Sequence, residues 1–207
     1  FCINCKMLVS LAEPNISKFM QKLKTSFYSL SSVVIAAVAL TLVSQSCFAA
    51  HHAGSNPEAN LEKLGIALPT PSKSIANYVG GRRIGNTIFL SGHLPIRKDK
   101  SVVIGKLGKD LTTEEGYQAA RLSAIALLAT LKAEIGELSK VKGIAKVFGM
   151  VNATDNFTDH SKVINGCSDL MVEVFGEKGR HARAASGFSS LPLGAAVEIE
   201  MIVEVEE

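Results

Sequence analysis

The chain has 207 residues, 47% of them apolar and 20% charged, with 17 glycines and 6 prolines. This balance excludes disordered, collagen-like and disulfide-dense proteins and supplies enough apolar side chains for one or two cores. The surplus of 22 Lys and Arg over 19 Asp and Glu would point to a polyanionic partner only if it sat on the folded part of the chain.

It does not sit there. From Met20, Lys22 and Lys24 precede an uncharged stretch with an apolar heart from Val33 to Val43, closed by Cys47-Phe48-Ala49. That is the layout of a secretory signal peptide, and its apolar heart is shorter than the roughly 20 residues of a spanning helix. Residues 20–49 are therefore read as a leader cleaved after Ala49, giving an exported protein, periplasmic or secreted, without membrane contact once processed. A retained anchor stays open as the alternative, since Thr25 to Ala50 carry no charge. Residues 1–19 read as upstream sequence, and their Cys2-x-x-Cys5 pair lacks the strand-helix context of a redox motif. The first 49 residues hold Lys6, Lys18, Lys22 and Lys24 against Glu13, so 18 basic and 18 acidic residues remain. The expected mature chain is neutral, and no nucleic-acid partner is expected. Cys167 is then the one cysteine left of four, so stability must come from a core or from oligomerisation rather than from disulfides.

In the remainder, residues 50–73 are polar and proline-punctuated and read as an arm, with a short helix over Leu61–Leu68 as an option. Residues 74–207 form one domain. Ile75–Ile84 and Thr87–Ser91 flank the hairpin signal Gly85-Asn86, and Val102–Ile104 suits a short strand. Thr112 or Thr113 caps a helix in which Tyr117, Ala120, Ala124, Leu128, Leu131 and Ile135 recur at helical spacing, with Glu114 and Glu115 in its first turn. Gly143–Ala153 reads as a buried strand. Asp159–Phe175 reads as a second helix carrying Val163, Cys167, Leu170 and Val174 on one stripe and closed by Gly176; on that stripe Cys167 is a small core residue. Ala182–Leu191 and Ala195–Val205 are strands around Leu191-Pro192-Leu193-Gly194, and in the last one Val197, Ile199, Met201, Val203 and Val205 alternate with Glu198, Glu200, Ile202 and Glu204. The order ββαβαββ implies an α+β fold: a two-layer sandwich of one mixed sheet with both helices on one face. The other face then needs cover, which a second subunit would provide.

Nucleotide-binding glycine loops, the nucleophile elbow and the zinc-protease motif are all missing. Of the five histidines, His51 and His52 are adjacent and lie in the arm, where a solvated tail is the plainer reading than a metal site. Arg183 stands out because Ala182, Ala184, Ala185, Ser186 and Gly187 surround it and leave room for a ligand. Two readings stand: its guanidinium forks onto a substrate carboxylate, or it pairs structurally with Glu198 or Glu200.

The stretch from Tyr78 to Pro95, with Gly85-Asn86-Thr87-Ile88-Phe89-Leu90-Ser91-Gly92, resembles the pattern "GN-x-IF-x-SGQ-x-P". Ala182-Arg183, Leu191-Pro192 and Val197-Glu198-Ile199-Glu200 are similar to "AR…LP…(V/I)EIE" at matching spacing. These are marks of the YjgF/RidA family of enamine and imine deaminases, also labelled endoribonuclease L-PSP-like. The resemblance runs from about Ser74 to the C-terminus and implies a chorismate-mutase-like homotrimer with active sites in clefts between subunits. It implies Arg183 as carboxylate anchor and Glu198 as the group that orients or deprotonates water, with Tyr78, Ser91 and Asn165 lining the cleft. No metal or other cofactor is implied. The reaction would convert small 2-imino acids to 2-oxo acids and ammonia. A non-catalytic trimer holding small carboxylates or amino acids in the same cleft is the alternative, and a ribonuclease rests on the family label alone. His181 stands where the family has Pro, and Gly80 and His93 stand where it has Gln.

Overall fold

The structure, a computed structural model, describes residues 56–71 and 76–207; the leader, the Cys2-x-x-Cys5 pair and His51-His52 lie outside them. The first helix, α1 (Pro57–Lys63), starts where Asn56 accepts the Ala59 N–H and Pro57 takes the first helical position. It therefore begins four residues before the short helix considered at Leu61–Leu68. It is tied to the domain: Leu61 is buried, Asn60 donates to the Val174 carbonyl and Glu58 accepts the Leu138 N–H.

β1 (Gly81–Ile84) and β2 (Thr87–His93) form the expected hairpin, with Ile84 opposite Thr87. β1 is shorter than the run from Ile75, and Val102 and Ile104 make single bridges to Ile96 and Ala195 rather than a strand. α2 (Thr113–Ile135) opens on a reciprocal capping box between Thr112 and Glu115. Its buried stripe includes Ala120, Ala124, Leu127, Leu128, Leu131 and Ile135. Tyr117, expected on that stripe, is half-exposed and donates its hydroxyl to Asp169 at 3.0 Å; Gly116 takes the core-facing place in that turn. β3 (Val141–Asn152), α3 (His160–Phe175, flanked by Asp159), β4 (Ala182–Phe188) and β5 (Val197–Val205) follow the expected order.

The five strands lie in the order β1-β2-β5-β3-β4, with β3 and β4 parallel and every other pair antiparallel. The parallel pair requires a crossover, and α3 supplies it. Ile88, Leu90, Val147, Val151, Ile199, Met201 and Val203 point into the layer filled by α2 and α3 and are buried. The α+β sandwich read from the periodicities is thus the observed architecture. The opposite face carries Phe89, Phe148, Ile202 and Phe188 together with Glu198 and Glu200, and Phe89 and Phe188 are exposed.

Two contacts fix the helical layer. Gly166 of α3 lies against the backbone of α2, where a Cβ would run into the Tyr117 carbonyl and crowd the Arg121 nitrogen. Backbone cannot yield as a side-chain tip can, so Gly166→Ala must separate the helices. We expect a loss of about 1–3 kcal/mol of stability, read as a lowered midpoint in urea, with Ala124→Gly as a control for composition alone.

The second contact is His93, at the end of β2. Its Nδ1 donates to the Ser91 carbonyl at 2.6 Å, and its Nε2 accepts from the Thr130 hydroxyl of α2 at 2.7 Å. Burial holds the ring below its usual value of 6.5, partly opposed by the Ser91 bond. The unfolded chain therefore takes up the proton more readily, so this contribution to stability is complete above about pH 6.5 and is lost as pH falls through 6.5 toward the folded value. His93→Gln, which can donate to Ser91 and accept from Thr130, should flatten the fall in melting temperature between pH 7.5 and 5. An unchanged slope would contradict this role.

Candidate functional site

Arg183 is the second residue of β4, an edge strand, and is opposite Val147 of β3. Val147 is fully buried under the helices, so Arg183 lies on the helical side of the sheet. There its Nη1 donates to Asn165 Oδ1 at 2.8 Å and to Ser168 Oγ at 3.0 Å, both on α3. The side chain is exposed, and no carboxylate among the described residues lies within ion-pair distance of it. The structural pair with Glu198 or Glu200 is therefore not formed.

Glu198 projects from the opposite face. It is aligned with Met150, which is aligned in turn with Ser186, three residues beyond Arg183 and so on the other side of β4. Its carboxylate packs against the Gly92 backbone, where any Cβ would collide with it. Burial first, and then the charge of Glu200, push its pKa above the usual carboxylate value. No donor among the described residues hydrogen-bonds it.

Gly92 belongs to an irregularity in the β2–β5 ladder between Leu90 and His93, a bulge of the kind that re-aims side chains. Ser91, in the same bulge, donates its hydroxyl to the Val79 carbonyl at 2.7 Å. This ties the bulge to the segment carrying Tyr78, which is 54% exposed. The five residues singled out from the sequence thus form two groups in one chain: Arg183 with Asn165 over the β4 edge, and Tyr78, Ser91 and Glu198 around the β2 bulge.

Ser168 and His181 join the first group unannounced. Ser168 Oγ lies 3.0 Å from His181 Nε2, and His181 Nδ1 lies 2.7 Å from the Gly179 carbonyl. The spacing of Ser168 three residues after Asn165, on one helical face, was the signal that could have found it. Cys167 lies between them, fully buried, with burial pushing its thiol up to about 12, as its core reading requires. Among the described residues no cluster of three His, Cys, Asp or Glu can hold a metal, and no helix is long and apolar enough to cross a membrane.

Two hollows complete the surface. A groove of about 580 Å³ between residues 58–71 and α2 is lined by Leu61, Ile66, Leu68, Ala129 and Lys132. Glu58 and Glu62 line it too, Glu58 pairing with Lys132, and it contains none of the predicted residues. A depression of about 130 Å³ on the open sheet face is lined by Phe89, Lys146, Phe148, Glu200 and Ile202.

Comparison with known proteins places the fold in a family. Residues 58–205 match the family described as "YjgF/chorismate mutase-like, putative endoribonuclease". Protein TCP17 of Trypanosoma cruzi is 43% identical over 148 residues, covering 71% of this chain and 92% of its own. The crystal structure of Agrobacterium tumefaciens protein Atu1372 superposes with a TM-score of 0.68 at 42% identity, covering 73% of this chain and 94% of the other. A protein of Dermatophagoides farinae named 2-iminobutanoate/2-iminopropanoate deaminase is 28% identical over 143 residues, covering 68% of this chain and 95% of its own.

Proposed function

Since this chain belongs to the YjgF/chorismate mutase-like family, we propose that it hydrolyses small 2-imino acids, and the enamines that tautomerise to them, to 2-oxo acids and ammonia. The observation that carries the reading is the unpaired state of Arg183 and Glu198. Each is a charged group held in place by its neighbours and left without an opposite charge. A guanidinium with a free edge suits a planar carboxylate. A carboxylate with a raised pKa suits a base acting on water.

In this reaction Arg183 holds the carboxylate of R–C(=NH)–COO⁻ and Asn165 fixes the guanidinium. Glu198 takes a proton from water as the oxygen adds to the C=N carbon. Glu198 passes that proton to the imine nitrogen, giving the neutral carbinolamine. It then takes the hydroxyl proton and returns it to nitrogen as C=O forms and the C–N bond breaks, releasing ammonia and leaving the carboxylate as it began. Water is consumed and no electrons change hands. Positioning and proton handling are the whole of the chemistry required of the protein.

The cleft is built between subunits of a homotrimer in this proposal. Two features support it: the two groups of residues lie on opposite faces of one sheet, so a single chain does not bring them together, and the open face exposes Phe89 and Phe188. A neighbour's Tyr78, Ser91 and Glu198 would meet Arg183 and Asn165 across the β4 edge, and the apolar face would be covered at the same time.

The test is release of pyruvate and ammonia from freshly generated 2-aminoacrylate. The expected result is acceleration by the wild type and a drop in kcat/KM of about ten- to a hundredfold in Arg183→Ala, the scale of a lost charged hydrogen bond. Glu198→Gln should lower kcat by about 10²–10⁴-fold, the scale of general acid–base catalysis. Wild-type activity should fall as pH drops through a pKa above that of an ordinary carboxylate, because protonation removes the base, and Glu198→Gln should lose that limb. Equal rates with and without protein would overturn the reading; if pyruvate nonetheless raised the melting temperature through Arg183, the carboxylate-binding alternative would replace it.

A further inference from the structure

His181 stands two residues before Arg183 in an extended run, so the two side chains leave the backbone on the same side and meet α3. The partners of the ring fix its tautomer. The Gly179 carbonyl, 2.7 Å from Nδ1, accepts only, so Nδ1 carries the proton and Nε2 takes the proton of Ser168 Oγ at 3.0 Å. With its own proton committed to His181, the serine oxygen turns its lone pairs to Arg183 and accepts from Nη1. The second Nη1 proton goes to Asn165 Oδ1. Both protons on Nη1 are then engaged, while Nε and Nη2 have no partner among the described residues.

We propose that His181 is a positioning residue: acting through Ser168, it keeps the Nη1 side of Arg183 engaged with the protein and reserves the Nε–Nη2 edge for a ligand carboxylate. This rests on Arg183 being the carboxylate anchor of the proposed reaction.

The device has an electrostatic consequence. A protonated His181 would turn Nε2 into a donor, leaving two cations aimed at the one serine oxygen. Burial first, and then the charge of Arg183, hold the ring below 6.5, with the Gly179 bond acting the other way. The ionisable surroundings are few. On its own segment there are Arg183 and Lys178, the latter donating its Nζ to the Val141 carbonyl, with Glu177 and Arg180 paired to each other at the surface. On α3 there are the neutral Ser168 and Asn165 and the buried Cys167 thiol. β3 offers Val147 beside Arg183, its Lys146 being on the other face. A carboxylate on the free edge would cancel the guanidinium charge and raise the ring's pKa. By linkage, carboxylate binding takes up a proton and tightens as pH falls through the range in which the ring titrates.

The experiment follows the His181 ring by proton NMR across pH 4.5–8 with and without saturating pyruvate, a stable 2-oxo acid. His181→Gln identifies the resonance, and Arg183→Gln and Ser168→Ala break the relay. The expected result is a His181 titration below the usual value that rises in Arg183→Gln, and rises in the wild type with pyruvate. Pyruvate affinity should tighten about three- to tenfold from pH 7.5 to 5 in the wild type, corresponding to a shift of roughly half to one pKa unit. His181→Gln, whose amide oxygen can still accept from Ser168, should keep near-wild-type affinity at pH 7.5 but lose the pH dependence, whereas His181→Leu should weaken binding at both values. A His181 titration unmoved by Arg183→Gln, or a wild-type pH dependence persisting in His181→Gln, would overturn the inference. If pyruvate binds at no pH while Arg183→Gln still shifts His181, the carboxylate reading of the site fails and the relay stands.

Discussion

The distance of α3 from α2 is set at a place where no side chain fits, and Gly149 of β3 likewise leaves room for the Ile164 side chain of α3 above the sheet. At Gly166 the α3 backbone lies against the Tyr117 carbonyl and Arg121 nitrogen of α2, so the helices approach as closely as backbone permits. Asn165 and Ser168 flank that point within one turn and inherit its rigidity. Buried Cys167, Leu170 and Val174 hold the same helix down on the sheet. A site residue on a loop could drift by an ångström; these two cannot without moving the helix pair. Arg183, on a thinly buried edge strand, is therefore oriented by α3 more than by its own strand.

The parallel β3–β4 pairing does the rest. A crossover through α3 places β4 at the sheet edge with its small residues outermost, and the alternation of side chains sends Arg183 to the helical side and Ser186 to the open side. Glu198, on the antiparallel β5, goes to the open side because Val197 and Ile199 are needed in the core. One register decision therefore separates the guanidinium from the carboxylate. The open face, with Phe89, Phe148 and Ile202 set among Lys146, Glu198 and Glu200, carries more apolar side chains than a solvated sheet needs.

Much of this was legible beforehand because periodicity reports burial. The two faces of the final strand were readable, though it starts at Val197 rather than Ala195, since alternation of Val, Ile and Met with Glu has only one placement on a half-buried sheet. The long helix was readable for a similar reason, with Thr112 and Glu115 marking its start. Misreadings occurred where burial and chemistry part company. Tyr117 has the spacing of a core residue, but its hydroxyl is drawn outward to Asp169. Val102 and Ile104 have strand composition, but their partners Ile96 and Ala195 offer single bridges. For the site, Arg183 announced itself through its small neighbours, and Asn165 was reached only by resemblance. Ser168 was signalled only by its spacing from Asn165, and His181 only as a departure from the family pattern. A serine in a helix and a histidine before a strand become meaningful only when a crossover brings them within 3.0 Å.

The way charge is held at Arg183 and Glu198 is the argument that these residues are kept for something other than stability. Five ion pairs form among the described residues, Arg121–Glu173, Lys132–Glu58, Lys142–Glu204, Lys162–Asp159 and Arg180–Glu177, while exposed charges such as Arg82, Lys98 and Glu62 form none. Such pairs are each worth little, so they are simply where surface charges settle. Arg183 and Glu198 are held without an opposite charge in two different ways. The arginine is given two neutral acceptors in place of a carboxylate, which orients it without quenching its charge. The glutamate is half-buried against glycine backbone with Glu200 as its charged neighbour, which costs desolvation and repulsion with no hydrogen bond in return. A fold selected for stability alone would exchange the glutamate. Both arrangements make physical sense if a ligand supplies the missing partner: an anion for the guanidinium and a water molecule for the carboxylate.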